Sequence, residues 1–148
     1  MSETKPKELL AQASRDMAGA FSARLCAIGV ELGIFQDLDR NGRSTSEQIA
    51  TRIGLNERYL REWLHGIVLS GYVEFDKTTR EAWLSAQQAQ VLVDEGGRFA
   101  QYGAFKLLNS ALLPYDKLLA AFRGGGGIGF EDYPPALWEA LDHTGCSR

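Results

Sequence analysis

The sequence predicts a mostly α fold in which a helix-turn-helix carries a two-stranded wing, with further helices on either side. Three observations predict it. Ser44, with Glu47 three residues on, opens an apolar-periodic run that closes at Gly54. Asn56 opens a second, wider apolar face that closes at Gly71. Two short runs at 72–75 and 81–85, rich in aromatic and β-branched residues, are separated by the polar turn Asp76-Lys77-Thr78-Thr79-Arg80. Helix, tight turn, helix and hairpin in that order make a winged helix-turn-helix.

The N-terminal segment precedes this unit. Leu10, Ala13, Met17, Phe21, Leu25, Ile28, Leu32 and Phe35 follow at steps of three or four residues, the mark of one helix face. Gly29 and Gly33 interrupt the stripe, which allows two helices joined near residue 20 in place of one. Ala18, Ala20, Ala23 and Ala27 leave room for another helix to come close. So long a stripe exceeds what a small winged helix needs for its own core, and it implies an external partner.

In the unit itself, Ser44 and Glu47 form a capping box, each side chain serving a backbone N–H at the helix start. Ile49, Ala50 and Ile53 supply the inner face, and Gly54 ends the helix in a left-handed conformation. Leu55 fills the turn. Asn56 is an N-cap, and Glu57 sits by the positive end of the next helix dipole. Tyr59, Leu60, Trp63, Leu64, Ile67 and Val68 form that helix's apolar face. After the wing, Ser85 caps a short helix carrying Ala89, Val91 and Leu92, closed by Gly96-Gly97. Leu108, Leu112, Tyr115, Leu119 and Phe122 recur at helical spacing, with Pro114 inside the pattern to kink or split it. The glycine-rich run 124–129 breaks all periodicity. Pro134 or Pro135 then opens a last helix with Leu137, Trp138 and Leu141, and the chain stops at Arg148 as though cut.

At 148 residues the chain is one domain by size. A net charge of −3 argues against bulk attraction to phosphate. Cys26 and Cys146 are too few for a disulfide framework, and Cys26, in an apolar stretch, reads as a small core residue. The N-terminus lacks an apolar signal core, and no run approaches the ~20 apolar residues of a membrane span. A cytoplasmic protein is the plain reading.

A DNA-reading helix needs side chains that reach base edges, flanked by cations for the phosphates. The candidates are Arg58, Arg61 and His65 on the second helix and Lys77 and Arg80 at the wing tip. Against them, Glu57 and Glu62 share the outward face. Residues 40–80 hold seven basic and five acidic residues, a thin surplus for a phosphate-binding surface. His143 and Cys146, with Asp142 beside them, are too few for a metal site, so none is assigned. Trp63, Trp83 and Trp138 read as core.

Taken together, these features resemble the N-terminal domain of S-adenosylmethionine-dependent methyltransferases. The matching residues are Leu32-Gly33-Ile34-Phe35, Thr45 with Ile49-Ala50, Gly54-Leu55, Tyr59-Leu60-Arg61-Glu62-Trp63-Leu64 and Ser70-Gly71-Tyr72-Val73-Glu74. The likeness is strongest to a bacterial subgroup acting on small molecules, where the tail AFRGGGGIGFEDYPPALWEAL is similar to the connector into the catalytic domain. It runs from about residue 20 to about residue 141. In that family a helical, winged-helix-like domain precedes a Rossmann-like catalytic domain, makes a homodimer and helps cover the substrate pocket.

The resemblance implies N-terminal dimerisation helices at 1–35, the winged helix-turn-helix at 36–93, and a helical dimerisation and connector segment at 94–123. The glycine-rich loop and the start of a linker to a catalytic domain then occupy 124–148. It implies a small-molecule substrate whose pocket is touched by Gly126, Phe130, Tyr133 and Trp138, and S-adenosylmethionine in a complete enzyme. The family's cofactor loop follows an apolar strand, and an acidic residue ends the next strand; neither motif occurs here. The glycines at 124–127 follow a helix instead, so they read as a hinge or pocket-lining loop, or a flexible linker. No catalytic residue and no bound cofactor are therefore assigned to this chain. The alternative reading is a winged-helix transcriptional regulator.

Overall fold

The structure is a computed structural model that describes residues 4–143. It opens with one long helix, α1 (Thr4–Glu31), followed by α2 (Ile34–Asn41). The joint allowed near residue 20 is absent, and the break falls at Leu32-Gly33. A glycine inside a helix costs only about 1 kcal/mol, so Gly19 and Gly29 are carried through. Gly33 is different, because its φ of 70° leaves the helical region. At Gly29 the fold packs tightly. A Cβ there would stand 2.6 Å from the rings of both Phe35 and Trp63.

The helix-turn-helix consists of α3 (Ser46–Ile53) and α4 (Glu57–Leu69). Its first cap is one residue later than the sequence pattern indicates. Thr45 is the N-cap and Gln48 completes the capping box. Ser44 is otherwise engaged: its N–H donates to the Ala82 carbonyl at 3.0 Å and its own carbonyl accepts from the Ala82 N–H at 2.8 Å. That bridge adds a third element beside the wing, and the Ser44 hydroxyl is engaged elsewhere, donating to the Gly42 carbonyl at 3.1 Å and accepting from Arg52 at 2.9 Å. Gly54 ends α3 in the left-handed region, and Asn56 caps α4 by accepting from the Tyr59 N–H.

The wing is β1 (Glu74–Asp76) paired antiparallel with β2 (Glu81–Trp83), with Phe75 opposite Ala82. Both strands are shorter than the sequence suggests. Gly71 and Tyr72 still donate to the carbonyls of Val68 and Ile67, so the end of α4 claims them. Beyond Trp83, Ser85 turns to cap α5 (Ala86–Leu92), with Gln88 closing a second capping box. Then come α6 (Tyr102–Ala111) and α7 (Tyr115–Gly124), split at Pro114 as its missing N–H requires. A single 3-10 turn (Phe130–Asp132) and α8 (Pro135–His143) complete the described chain.

The core lies among α1, α2, α3, α4 and the wing. Cys26, Val30, Ile34, Phe35, Leu38, Ile49, Leu60, Trp63, Leu64, Ile67, Val73, Ala82 and Leu92 are buried together. Phe35 and Trp63 pack tilted at 5.4 Å, and the Trp63 indole donates to the Leu25 carbonyl at 2.9 Å, tying α4 to α1. Of the three tryptophans only Trp63 is a core residue; Trp83 is half-buried in the wing and Trp138 is exposed on α8. Burial pushes the Cys26 thiol up to about 12, so it is neutral in the fold.

One ion pair is built into this core. Arg52 Nε donates to the two Asp37 carboxylate oxygens at 2.9 and 3.2 Å. Its Nη2 reaches Asp37 at 2.5 Å and the Ser44 hydroxyl at 2.9 Å. The hydrogen bond to Asp37 raises the guanidinium further above its ordinary value, so the charge is locked on. The pair joins α2 to α3 and, through Ser44, to the wing.

Outside this core, burial is sparse. Residues 5–20 of α1 are all exposed, and α7 has no buried residue. No single helix among the described residues is long and apolar enough to cross a membrane.

Candidate functional site

Three surfaces could carry function. The first is the outer face of α4 with the wing. Arg58, His65, Lys77 and Arg80 are exposed and Arg61 is partly so. Three of the five face an acidic side chain. Arg61 faces Glu57 at 3.5 Å, one turn away on α4, and Glu57 also accepts from the Ser46 hydroxyl at 2.8 Å. Arg80 faces Glu47 at 3.6 Å, and His65 faces Glu62 at 3.9 Å. At the wing, Asp76 accepts from the N–H groups of Thr78 and Thr79 at 2.7 and 3.2 Å, which holds its carboxyl below the usual range. The same carboxylate lies 4.0 Å from Arg43, whose guanidinium stacks 3.5 Å over the Trp83 ring. Of the five DNA-contact candidates, only Arg58 and Lys77 have no acidic partner among the described residues. Arg80 also departs from ordinary backbone, with φ at 59°, and so closes the wing turn.

The second surface is the glycine-rich segment with the 3-10 turn and α8 beyond it. Gly125, Gly126 and Gly127 all take positive φ, of 78°, 93° and 70°, so the run is demanded by backbone angle. Packing does not demand it, because a Cβ on any of the three would meet nothing within 4 Å. The four pocket candidates do not converge. Phe130 and Trp138 stack on each other at 5.3 Å. Tyr133 instead lines an open hollow of ≈ 590 Å³ with Leu113, Lys117, Asp132 and Pro134, and a smaller one with Ile128 and Leu118. Gly126 is exposed and lines neither. Lys117 donates to Asp132 across the larger hollow, and this bond lowers the carboxyl below its usual range.

The third surface escapes a reading of the sequence. Leu25, Ile28 and Leu32 of α1 and its end, with Ile34, Leu55, Tyr59, Leu60 and Trp63, line an apolar hollow of ≈ 440 Å³. Asn56 and Glu62 are its polar lining residues, beside the Tyr59 hydroxyl and the Trp63 indole, which donates to the Leu25 carbonyl. The sequence pattern puts Tyr59 on the inner face of α4, yet it is three-quarters exposed, at the rim of this hollow. Four residues at the central positions of that face already fill the core, and Tyr59 lies off to one side. The signal was present in the α1 stripe, but periodicity alone does not say which part of a stripe the chain buries itself.

A second apolar hollow, ≈ 310 Å³, lies on the other flank of α1, between Gly19, Ala20 and Ala23 and the α6 end residues Leu108 and Leu112. Large apolar side chains are exposed along α6 and α7 as well, among them Leu108, Leu112, Tyr115 and Phe122. Among the described residues no group of three or more His, Cys, Asp or Glu could hold a metal ion. Cys146 lies outside the described residues.

Residues 20–94 match the family model described as an Rv2258c-like winged HTH domain. The chain belongs to that family. Within this winged helix-turn-helix family the observed elements from α1 to α5 account for the whole matched region. No curated protein matches the chain. Among solved structures, it is similar to the mitomycin 7-O-methyltransferase MmcR, with a TM-score of 0.69 and 20% identity, over 95% of this chain and 44% of that one. It is also similar to the N,N-8-amino-8-demethyl-D-riboflavin dimethyltransferase RosA from Streptomyces davawensis, with a TM-score of 0.68 and 16% identity, over 99% and 44%. A third is the S-adenosylmethionine-dependent methyltransferase SibL in its apo form, at 0.63 and 17%, over 90% and 42%. The chain thus spans less than half the length of each. At these identities the likeness is one of fold. That fold extends past the winged helix into α6, α7 and α8, since nearly the whole chain is covered in each comparison.

Proposed function

We propose that this chain is the dimerisation and substrate-covering N-terminal domain of an S-adenosylmethionine-dependent methyltransferase acting on a small molecule, and that it is inactive alone. The observation that carries this reading is the run of exposed large apolar side chains on α1, α6 and α7. A domain serving only itself would bury them, because each costs roughly 1.5–3 kcal/mol when left in water. They fit a twin subunit and a following catalytic domain. The segments at 1–35 and 94–123 would supply the dimer contacts, 36–93 the winged helix-turn-helix, and 124–148 the passage into the catalytic domain. The cofactor, S-adenosylmethionine, belongs to that further domain. Transfer there would be direct in-line displacement at the sulfonium methyl, helped by proximity.

Gly126, Phe130, Tyr133 and Trp138 are proposed as the points where this chain meets the small molecule. In the intact enzyme, Tyr133→Ala should weaken substrate binding, and unchanged affinity for both substrate and cofactor would remove the residue from the pocket. The alternative reading, a DNA-binding regulator, draws on Arg58 and Lys77. Fluorescence titration with genomic fragments at low and moderate salt separates the two. The methyltransferase reading expects weak binding at most, whereas tight binding that falls steeply with salt would favour the regulator.

A further inference from the structure

α7 (Tyr115–Gly124) is an excursion of the chain from a closed base. Before it, α6 runs to Ala111; after it, the 3-10 turn leads into α8, and α8 packs back against α6. The two ends of the excursion therefore hold each other, and α7 can change position without disturbing either. Both joints are built to turn. At the first, Leu112 and Leu113 are exposed and Pro114 has no N–H to donate, so helical hydrogen bonding is interrupted there. At the second, Gly126, Gly127 and Ile128 make no backbone hydrogen bond among the described residues, and a Cβ on Gly125, Gly126 or Gly127 would touch nothing. Glycine at three successive positive φ angles keeps many backbone conformations open to this joint.

Little holds α7 in place. None of its residues is buried. Tyr115 and Leu118 share a small hollow with Ile128 and Tyr133, and Lys117 donates to Asp132 on the 3-10 turn. The lysine side chain is 56% exposed, so water and salt compete for this bond and the latch is a weak one. Behind the latch lies the hollow of ≈ 590 Å³, which Asp116 and Lys117 line from α7 and Glu131, Asp132 and Tyr133 line from the other side. A swing of α7 moves one wall of that hollow and leaves the other standing.

We propose that α7 is a hinged flap over the Tyr133 hollow, turning at 112–114 and 125–128 and latched by Lys117 on Asp132. Open, the flap admits a small molecule to Tyr133; shut, it shields that molecule from water. This use rests on the pocket reading of Tyr133, whereas the motion does not. A twin subunit seated on α7 selects one of its two positions.

Amide hydrogen exchange read by mass spectrometry on the 148-residue chain tests the motion, at dilutions that span the assembly states. Once detached, a helix of 10 residues is marginal in water, so each opening lets its amides exchange. The expected result is that α7 exchanges faster than α6 and α8, yet slower than an unstructured segment. Lys117→Met, at an exposed position, should speed exchange in α7 by roughly two- to fivefold, the weight of one surface ion pair, and leave α6 and α8 unchanged. A carbodiimide joins a lysine to a carboxylate in contact with it as an amide and takes up the water as a urea. Where peptide mapping places that amide between Lys117 and Asp132, exchange in α7 should slow. Exchange of α7 at one rate with α6 and α8 at every dilution overturns the flap, and so does an α7 that exchanges as an unstructured segment. An unchanged rate in Lys117→Met or in the cross-linked chain overturns the latch. No small molecule is present, so these failures leave the reading of Tyr133 standing, and failure of Tyr133→Ala to weaken binding leaves the motion standing.

Discussion

Replacing Arg52 with alanine should be among the most damaging changes to the fold, although the residue lies outside every proposed binding surface. Its partner Asp37 is 6% exposed and receives three hydrogen bonds from the guanidinium. Removing the arginine leaves a carboxylate with little access to water and only Asn41 Nδ2, at 3.1 Å, as a remaining side-chain donor. Breaking a buried pair by deleting one partner costs about 3–5 kcal/mol. Here the Arg52 side chain is 32% exposed, so the lower end applies and water can partly replace it. A loss of about 3 kcal/mol corresponds to a fall in Tm of about 6–12 °C at this chain length. Urea unfolding followed by tryptophan fluorescence measures it directly, because Trp63 sits in the same core. Arg52→Lys should recover only part of the loss, since an ammonium cannot reproduce the two-pronged contact. The double variant Asp37→Asn with Arg52→Met should lose less than Arg52→Ala alone. A midpoint shift equivalent to under ~1 kcal/mol for Arg52→Ala would refute the argument that this pair joins α2, α3 and the wing.

Two more expectations concern the core. Gly29→Ala puts a methyl 2.6 Å from the Phe35 and Trp63 rings. The overpacking costs about 1–3 kcal/mol, against about 1 kcal/mol gained in helix propensity, so thermal unfolding should occur earlier than in the parent. Cys26, held neutral with a pKa of about 12, should resist a thiol reagent at pH 8 until the chain is unfolded in denaturant. The linkage has a defined sign. Between pH 9.0 and about 12 the folded chain holds a proton that the unfolded chain has released, so stability falls as pH rises through that window. Cys26→Ala should flatten that alkaline decline, and an unchanged slope would assign it to other groups.

The candidate residues show how unevenly the site could be read in advance. Arg61 and Arg80 are outward, as the helical and wing patterns indicate, yet each faces a glutamate. Glu57 is one turn away from Arg61 and was legible from spacing. Glu47 reaches Arg80 only because α3 lies beside the wing. Ser44 makes the same point for the fold: its spacing to Glu47 satisfies a capping box, and so does Thr45 with Gln48. The choice between them came from the Ala82 backbone, nearly forty residues on. Phe130, Tyr133 and Trp138 are close in sequence, yet the turn at 130–132 sends Tyr133 to one wall and stacks the other two together.

Local chemistry is enough to write down the helix-turn-helix, its glycine stops, the wing turn and the split at Pro114, because caps, positive φ and a missing N–H act within a few residues. The apolar stripe of α1 was equally visible, and so was its excess over one small core. Tertiary packing alone decided which part of that stripe is buried, since Phe35 and Trp63 come to α1 from separate elements. It also made Asp37 and Arg52 a pair and left the hollow beside Tyr59 open. Burial depends on what lies across the gap, and a one-dimensional pattern carries no record of the opposite wall.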